Sequence, residues 1–155
     1  PMSVAVWLFV TGLLLSAAER LTEQKRALGN LRWLDALVIG LAQALAIFPG
    51  VSRSGATISA GLWRGLQRAQ AARFSFLLSV PIIVGTGLKQ LLYLFSEPTP
   101  AGYAVPLFVG FCAAALSGYL SIRLLLRYLQ RGKLYPFAVY CWVLGAITLA
   151  AGLWR

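Results

Sequence analysis

The sequence predicts an all-α integral membrane protein with about four transmembrane helices and one re-entrant helix–loop–helix hairpin, in a single membrane domain over 1–155. Three observations predict it. The chain is 59% hydrophobic and only 12% charged, with a mean hydropathy of +0.77, outside the range of soluble domains. Apolar runs longer than a signal-peptide core recur along the chain, with basic residues gathered between them. A polar stretch, Phe48-Pro49-Gly50-Val51-Ser52-Arg53-Ser54-Gly55-Ala56-Thr57, separates two apolar runs too short to cross a bilayer.

Region 1–33 holds the first span, Met2 to Ala18, and a polar loop, Glu19 to Arg32. Pro1 is not an initiator residue, so the chain is expected to begin partway through a longer protein or to follow processing. Glu19 and Glu23 share a helix face, but with basic neighbours around them they read as solvated charges rather than metal ligands. Region 34–66 is the hairpin. Its arms, Leu34 to Phe48 and Val51 to Trp63, each fall short of the roughly 20 residues that a span needs. Irregular backbone at membrane depth is tolerated only where protein or a watery cavity surrounds it.

Region 67–155 completes the domain. Arg64 to Arg73 reads as a basic linker at the interface, followed by a span from Phe74 to Phe95 that contains Pro81. Ser96 to Gly102 is a turn without a basic residue, Tyr103 to Leu126 a third span, and Phe137 to Trp154 the last. If the hairpin returns to its own side, one face collects every Lys and Arg except Arg53, Lys89 and Arg155. That face is expected to be cytoplasmic and the C-terminus outside.

The net charge of +10 does not mark a nucleic-acid binder, because its distribution is that of positive-inside loops. Cys112 and Cys141 both lie in apolar runs, which gives no disulfide framework or metal site.

Arg53 then stands near the membrane midplane, where a charge is costly and by default functional. Pro49 and Gly50 end the first arm, and after Gly55 the chain turns helical again, Ala56 to Trp63, placing the N–H groups of Ser54 to Thr57 at a helix N-terminus that favours an anion. Arg53 adds a planar fork suited to phosphate oxygens. The pair Gly50 and Gly55 has the glycine spacing of a nucleotide P-loop, but Ala56 stands where that motif needs Lys. Gly50, Ser52, Arg53, Ser54, Gly55 and Thr57 are the candidate substrate-binding residues, with Arg53 and Ser52 the candidate catalytic ones and Thr57 the weakest of the set.

Gly40 to Thr57, with its Pro49-Gly50-Val51-Ser52-Arg53-Ser54-Gly55 core, closely resembles the second signature of the bacterial undecaprenyl-diphosphatases, also called bacitracin-resistance proteins. Ala72 to Pro81 and Phe137 to Tyr140 look like further stretches of that family. The resemblance implies an enzyme that removes the terminal phosphate of undecaprenyl diphosphate, the lipid carrier of cell-wall synthesis, in the bacterial plasma membrane. It also implies two inverted repeats, each a re-entrant pair followed by three spans, of which this chain is similar to the last helix of the first repeat and all of the second. A divalent cation, Mg or Ca, is implied, with ligands in the missing first-repeat hairpin; Gln43 and Ile47 stand where that hairpin carries glutamates. The family also implies Arg after Tyr140, where this chain has Cys141. The expected partners are a polyprenyl diphosphate, the bilayer, the missing repeat and a second copy of the chain. The rival reading is a transporter or flippase that binds an anionic headgroup at Arg53 without hydrolysis.

Overall fold

The computed structural model describes residues 2–96, 102 and 104–153. The outer turn around Glu97 to Pro100 and the C-terminal Trp154 and Arg155 lie outside the described residues. Six α-helices follow one another: α1 (Met2–Leu21), α2 (Trp33–Ala44), α3 (Arg53–Trp63), α4 (Arg68–Ser96), α5 (Ala104–Leu129) and α6 (Tyr135–Leu153). Among the described residues there is no strand, only one isolated bridge between Arg26 and Leu66. Helices α1, α4, α5 and α6 are long and apolar enough to cross a membrane; α2 and α3 are not.

Short α3 sits at the centre, packed against α1, α2 and α4. Every residue from Gly55 to Leu62 is buried, although the segment includes Thr57 and Ser59. Its small side chains allow close approach on all sides, as at Gly61, where an added Cβ would come within 3.0 Å of Ala71 Cβ. The core gathers around α3: Leu15 and Ala18 from α1, Ile39 from α2, Ala71 and Ala72 from α4, and Leu129, Leu134 and Ala138 from the α5–α6 region. Helix α1 also packs along α6, where Gly12 lies under the Trp142 ring with no room for a Cβ. By contrast, α5 is exposed along most of its length, until Leu125, Leu126 and Leu129 meet the core, and α4 is mostly exposed too, leaving broad apolar faces such as Val105, Phe108 and Phe111.

Several boundaries differ from the sequence reading, two of them for one reason. Helix α1 continues past Ala18 to Leu21, and the basic linker dissolves into α4, which begins at Arg68. The cause is an ion pair. Glu19, read as a solvated charge, is buried, and Arg68 donates to it through Nε at 2.9 Å and through Nη2. The helical turns carrying Glu19 and Arg68 are thereby held together. Only Glu23 is a surface charge, paired with exposed Lys25 at 2.9 Å.

The two ends of the α2–α3 hairpin meet. Asp35, in the first turn of α2 and 1% exposed, accepts from Arg32 N–H (2.9 Å), from Arg26 Nη2 (2.9 Å) and from Arg64 Nε at the end of α3. Gly65 reaches φ +83, a left-handed conformation that lets Leu66 N–H donate back to the Gly61 carbonyl and end α3. The loop after α1 pairs with this turn: Arg26 N–H donates to Gly65 O at 2.9 Å and Gln67 N–H to Arg26 O at 3.0 Å.

Candidate active site

The hairpin tip is built by punctuation and by contacts from α1. After α2 a tight turn, Leu45–Ile47, carries the chain to Pro49 and Gly50. Gly50 adopts φ +102, and a Cβ there would lie 2.7 Å from Val4 Cα, so both its conformation and its contact with α1 demand glycine. The Trp7 ring stacks on Phe48 at 5.2 Å. Ser52 N–H donates to Thr11 Oγ1 at 3.3 Å, and that hydroxyl donates to the Trp7 carbonyl at 2.9 Å. Thr11 was not a sequence candidate. Nothing in a helical apolar run distinguishes a threonine that braces a loop 41 residues away.

Helix α3 starts at Arg53, three residues before Ala56. Ser52 is its N-cap, accepting through Oγ from Gly55 N–H at 3.1 Å, while Ala56 N–H donates to the Ser52 carbonyl at 2.8 Å. The N–H groups of Gly55 and Ala56 are therefore spent, and those of Arg53 and Ser54 are without a partner among the described residues. Ser54 Oγ lies 3.4 Å from Ser52 Oγ. Thr57 stands behind the tip: it is buried, its hydroxyl 2.6 Å from Ser75 Oγ, and it donates to the Arg53 carbonyl at 2.9 Å. Gly55 presses against Thr11, with Cγ2 only 2.7 Å from where a Cβ would sit.

Two cavities open beside this turn. Ser52, Ser54 and Gly55 line one of about 190 Å3, walled by Leu15, Phe137 and Cys141. Arg53 lines another of about 320 Å3 with Gln43, Ile47 and Ile82. The serines are thus together, and the exposed Arg53 side chain stands on the other side of the same helical turn. What the tip offers is donors: two backbone N–H groups, two hydroxyls and a guanidinium, at the positive end of a helix dipole. Such a set binds a phosphate oxyanion and stabilises charge that grows on it.

It does not fit a divalent cation. Mg or Ca calls for carboxylate oxygens, and all three described carboxylates are engaged elsewhere: Glu19 by Arg68, Glu23 by Lys25, and Asp35 by Arg26 and Arg64. Among the described residues no cluster of His, Cys, Asp or Glu has metal-binding geometry. The hydrogen bond from the Arg32 N–H, aided by the Arg26 and Arg64 guanidiniums and opposed by burial, holds the Asp35 carboxyl well below the usual carboxylate range. Asp35 is a permanent counter-ion, not a base.

The family described as "Bacitracin resistance protein BacA" matches residues 1–147, nearly the whole chain. The chain belongs to the BacA family. An undecaprenyl-diphosphatase of Methanothermobacter thermautotrophicus is 47% identical over 97% of this chain and 84% of its own length. Undecaprenyl-diphosphatases of Halothermothrix orenii and Thermomicrobium roseum are 44% and 49% identical, over 97% and 92% of this chain. The chain spans only 59% and 51% of those two relatives. Membership agrees with the signature at Pro49 to Gly55 and with the four long apolar helices of a multi-pass membrane protein.

Proposed function

We propose that this chain takes part in hydrolysing undecaprenyl diphosphate to undecaprenyl phosphate and inorganic phosphate, with the diphosphate held at the tip of the α2–α3 hairpin. The observation that carries this reading is the Ser52-capped first turn of α3, which presents the Ser54 hydroxyl and two unspent N–H groups, with Arg53 on the other side of the same turn. The printed names of the BacA-family relatives supply the substrate. Arg53 binds the diphosphate through two oxygens and spreads the charge of the transition state, as arginines do in phosphoryl transfer. Ser52 and Ser54 complete the oxygen shell, and Gly50 and Gly55 let the backbone adopt this shape against α1. Thr57 serves by fixing the first turn of α3 rather than by touching phosphate.

In this reading the hairpin is re-entrant and enters the plasma membrane from its basic, cytoplasmic side, and the C-terminus lies outside. Carboxylates for a divalent cation and a proton-transfer group come from outside these residues, from the first inverted repeat that the family resemblance implies. The test is phosphate release from undecaprenyl diphosphate by the full-length protein in detergent, with and without a divalent cation. Residues 1–155 alone are expected to release none, and co-expression with a glutamate-bearing first-repeat segment from a relative is expected to restore release. Robust turnover by residues 1–155 alone would refute the division of labour. Movement of headgroup across vesicles without release by the full-length protein would replace hydrolysis by transport.

A further inference from the structure

A third cavity, at the opposite end of the hairpin from Arg53, has the chemistry of an anion receptor. It measures about 630 Å3 and is lined by Arg26, Gly29, Asn30, Leu31, Arg32 and Arg64. Two of its three arginines, Arg26 and Arg64, pair with the one carboxylate, Asp35, so the cluster keeps a net positive charge. The guanidiniums are not equivalent. Arg26 is consumed by structure: Nη1 donates to the Arg64 carbonyl at 2.7 Å, and Nη2 to the Asn30 carbonyl at 2.6 Å and to Asp35. Arg64 gives only Nε to Asp35, which leaves its two terminal nitrogens without a partner among the described residues. The Arg32 guanidinium has none at all among them.

We propose that this cavity binds a phosphate oxyanion, with the terminal nitrogens of Arg64 and the guanidinium of Arg32 as donors. Asp35 and Arg26 preorganise the site, because Asp35 fixes the Arg64 side chain from below and Arg26 ties the Asn30 loop to the end of α3. A phosphate group is preferred to a carboxylate because its tetrahedral oxygens can face two separate forks at once, where a planar carboxylate faces one. The surroundings add a lipid option. Trp33 and Leu34, at 74% and 46% exposure, follow Arg32 at the start of α2, an aromatic and an apolar residue of the kind found at membrane interfaces. The oxyanion is therefore the phosphate of an anionic lipid headgroup or free inorganic phosphate. The proposal stands apart from the activity at Arg53.

The test uses the full-length protein in a nonionic detergent, with Arg32→Gln, and with Arg131→Gln as a control that removes an equal charge elsewhere. One arm measures phosphatidylglycerol adducts by native mass spectrometry, with phosphatidylcholine for comparison. The other measures Tm against sodium phosphate at constant ionic strength. Arg32 is exposed and its guanidinium holds no described residue in place, so its replacement is expected to leave the fold intact. Arg32→Gln is expected to bind about fivefold more weakly, with Arg131→Gln like the parent. A response to phosphatidylglycerol alone identifies a lipid headgroup; a response to phosphate identifies the free ion. Equal losses in the two variants, or no response of the parent to either probe, would overturn the site.

Discussion

Arg64 Nε donates to Asp35 Oδ1, although the two residues lie 29 positions apart and at opposite ends of the hairpin chain. One buried carboxylate thus holds the beginning of α2 and the end of α3 on the same face of the molecule. A chain that crossed the bilayer through these helices would separate these residues by a membrane thickness. The contact is the structural reason to read α2–α3 as a hairpin that returns to its own side.

Replacing Asp35 by Asn keeps the shape and leaves two guanidiniums facing a neutral amide. A loss of about 2–3 kcal/mol in stability is expected, at the low end for a broken buried pair because both arginines keep partial access to water. The effect depends on pH. The folded carboxyl titrates below its unfolded value, so its stabilisation is complete above about pH 4 and is lost as pH falls through lower values. Tm measured in detergent from pH 7 down to pH 3 should decline more steeply at the acid end for the parent than for Asp35→Asn. Parallel curves would show that Asp35 is not the counter-ion described.

The hairpin's topology has its own test in a background lacking Cys112 and Cys141. Single cysteines in place of Arg32 and Gln67 are expected to react with a membrane-impermeant reagent from one side, and one at Ser96, at the far end of α4, from the other. Reaction at Arg32 and Gln67 from opposite sides would mean that α2 and α3 cross.

Thr11 braces the tip from α1, and Thr11→Val removes the acceptor of the Ser52 N–H at nearly constant volume. About 1 kcal/mol of stability should be lost, with a drop in phosphate release larger than the change in folded protein explains. Gly50→Ala should be worse, since the left-handed backbone and the Val4 contact both refuse a Cβ. Unchanged release by Gly50→Ala would show that the tip is free to rearrange.

Much of this was legible in the sequence, and the reasons differ by element. The long apolar runs of α1, α4, α5 and α6 are read directly from hydropathy, because lipid-facing helices need no complementary pattern. The hairpin arms were legible from being short, and Ser52 to Gly55 from polar residues where apolar ones belong. Buried charge pairs were not legible. Glu19 looks like any acidic residue among basic neighbours until the fold brings Arg68 from 49 positions away. The start of α3 lies three residues before Ala56 because Ser52, capping the helix through the Gly55 N–H, carries it across a glycine that reads as a break in the sequence. Thr57 looked like part of the phosphate shell from its spacing alone; its partner, Ser75, comes from α4.

In the proposed reaction the Arg53 guanidinium, not merely its charge, serves at the tip. Arg53 lies exposed at the first position of α3 and no described residue pairs with its side chain, so Arg53→Lys leaves the packing untouched. A lysine keeps the charge but loses the fork that takes two phosphate oxygens. The measurement is phosphate release from undecaprenyl diphosphate by the full-length protein, parent against Arg53→Lys, normalised to folded protein in the membrane. A loss of about 2–4 kcal/mol of transition-state stabilisation, some thirty- to nearly a thousandfold in rate, is expected with protein abundance near normal. Release within about twofold of the parent would contradict the role assigned to Arg53.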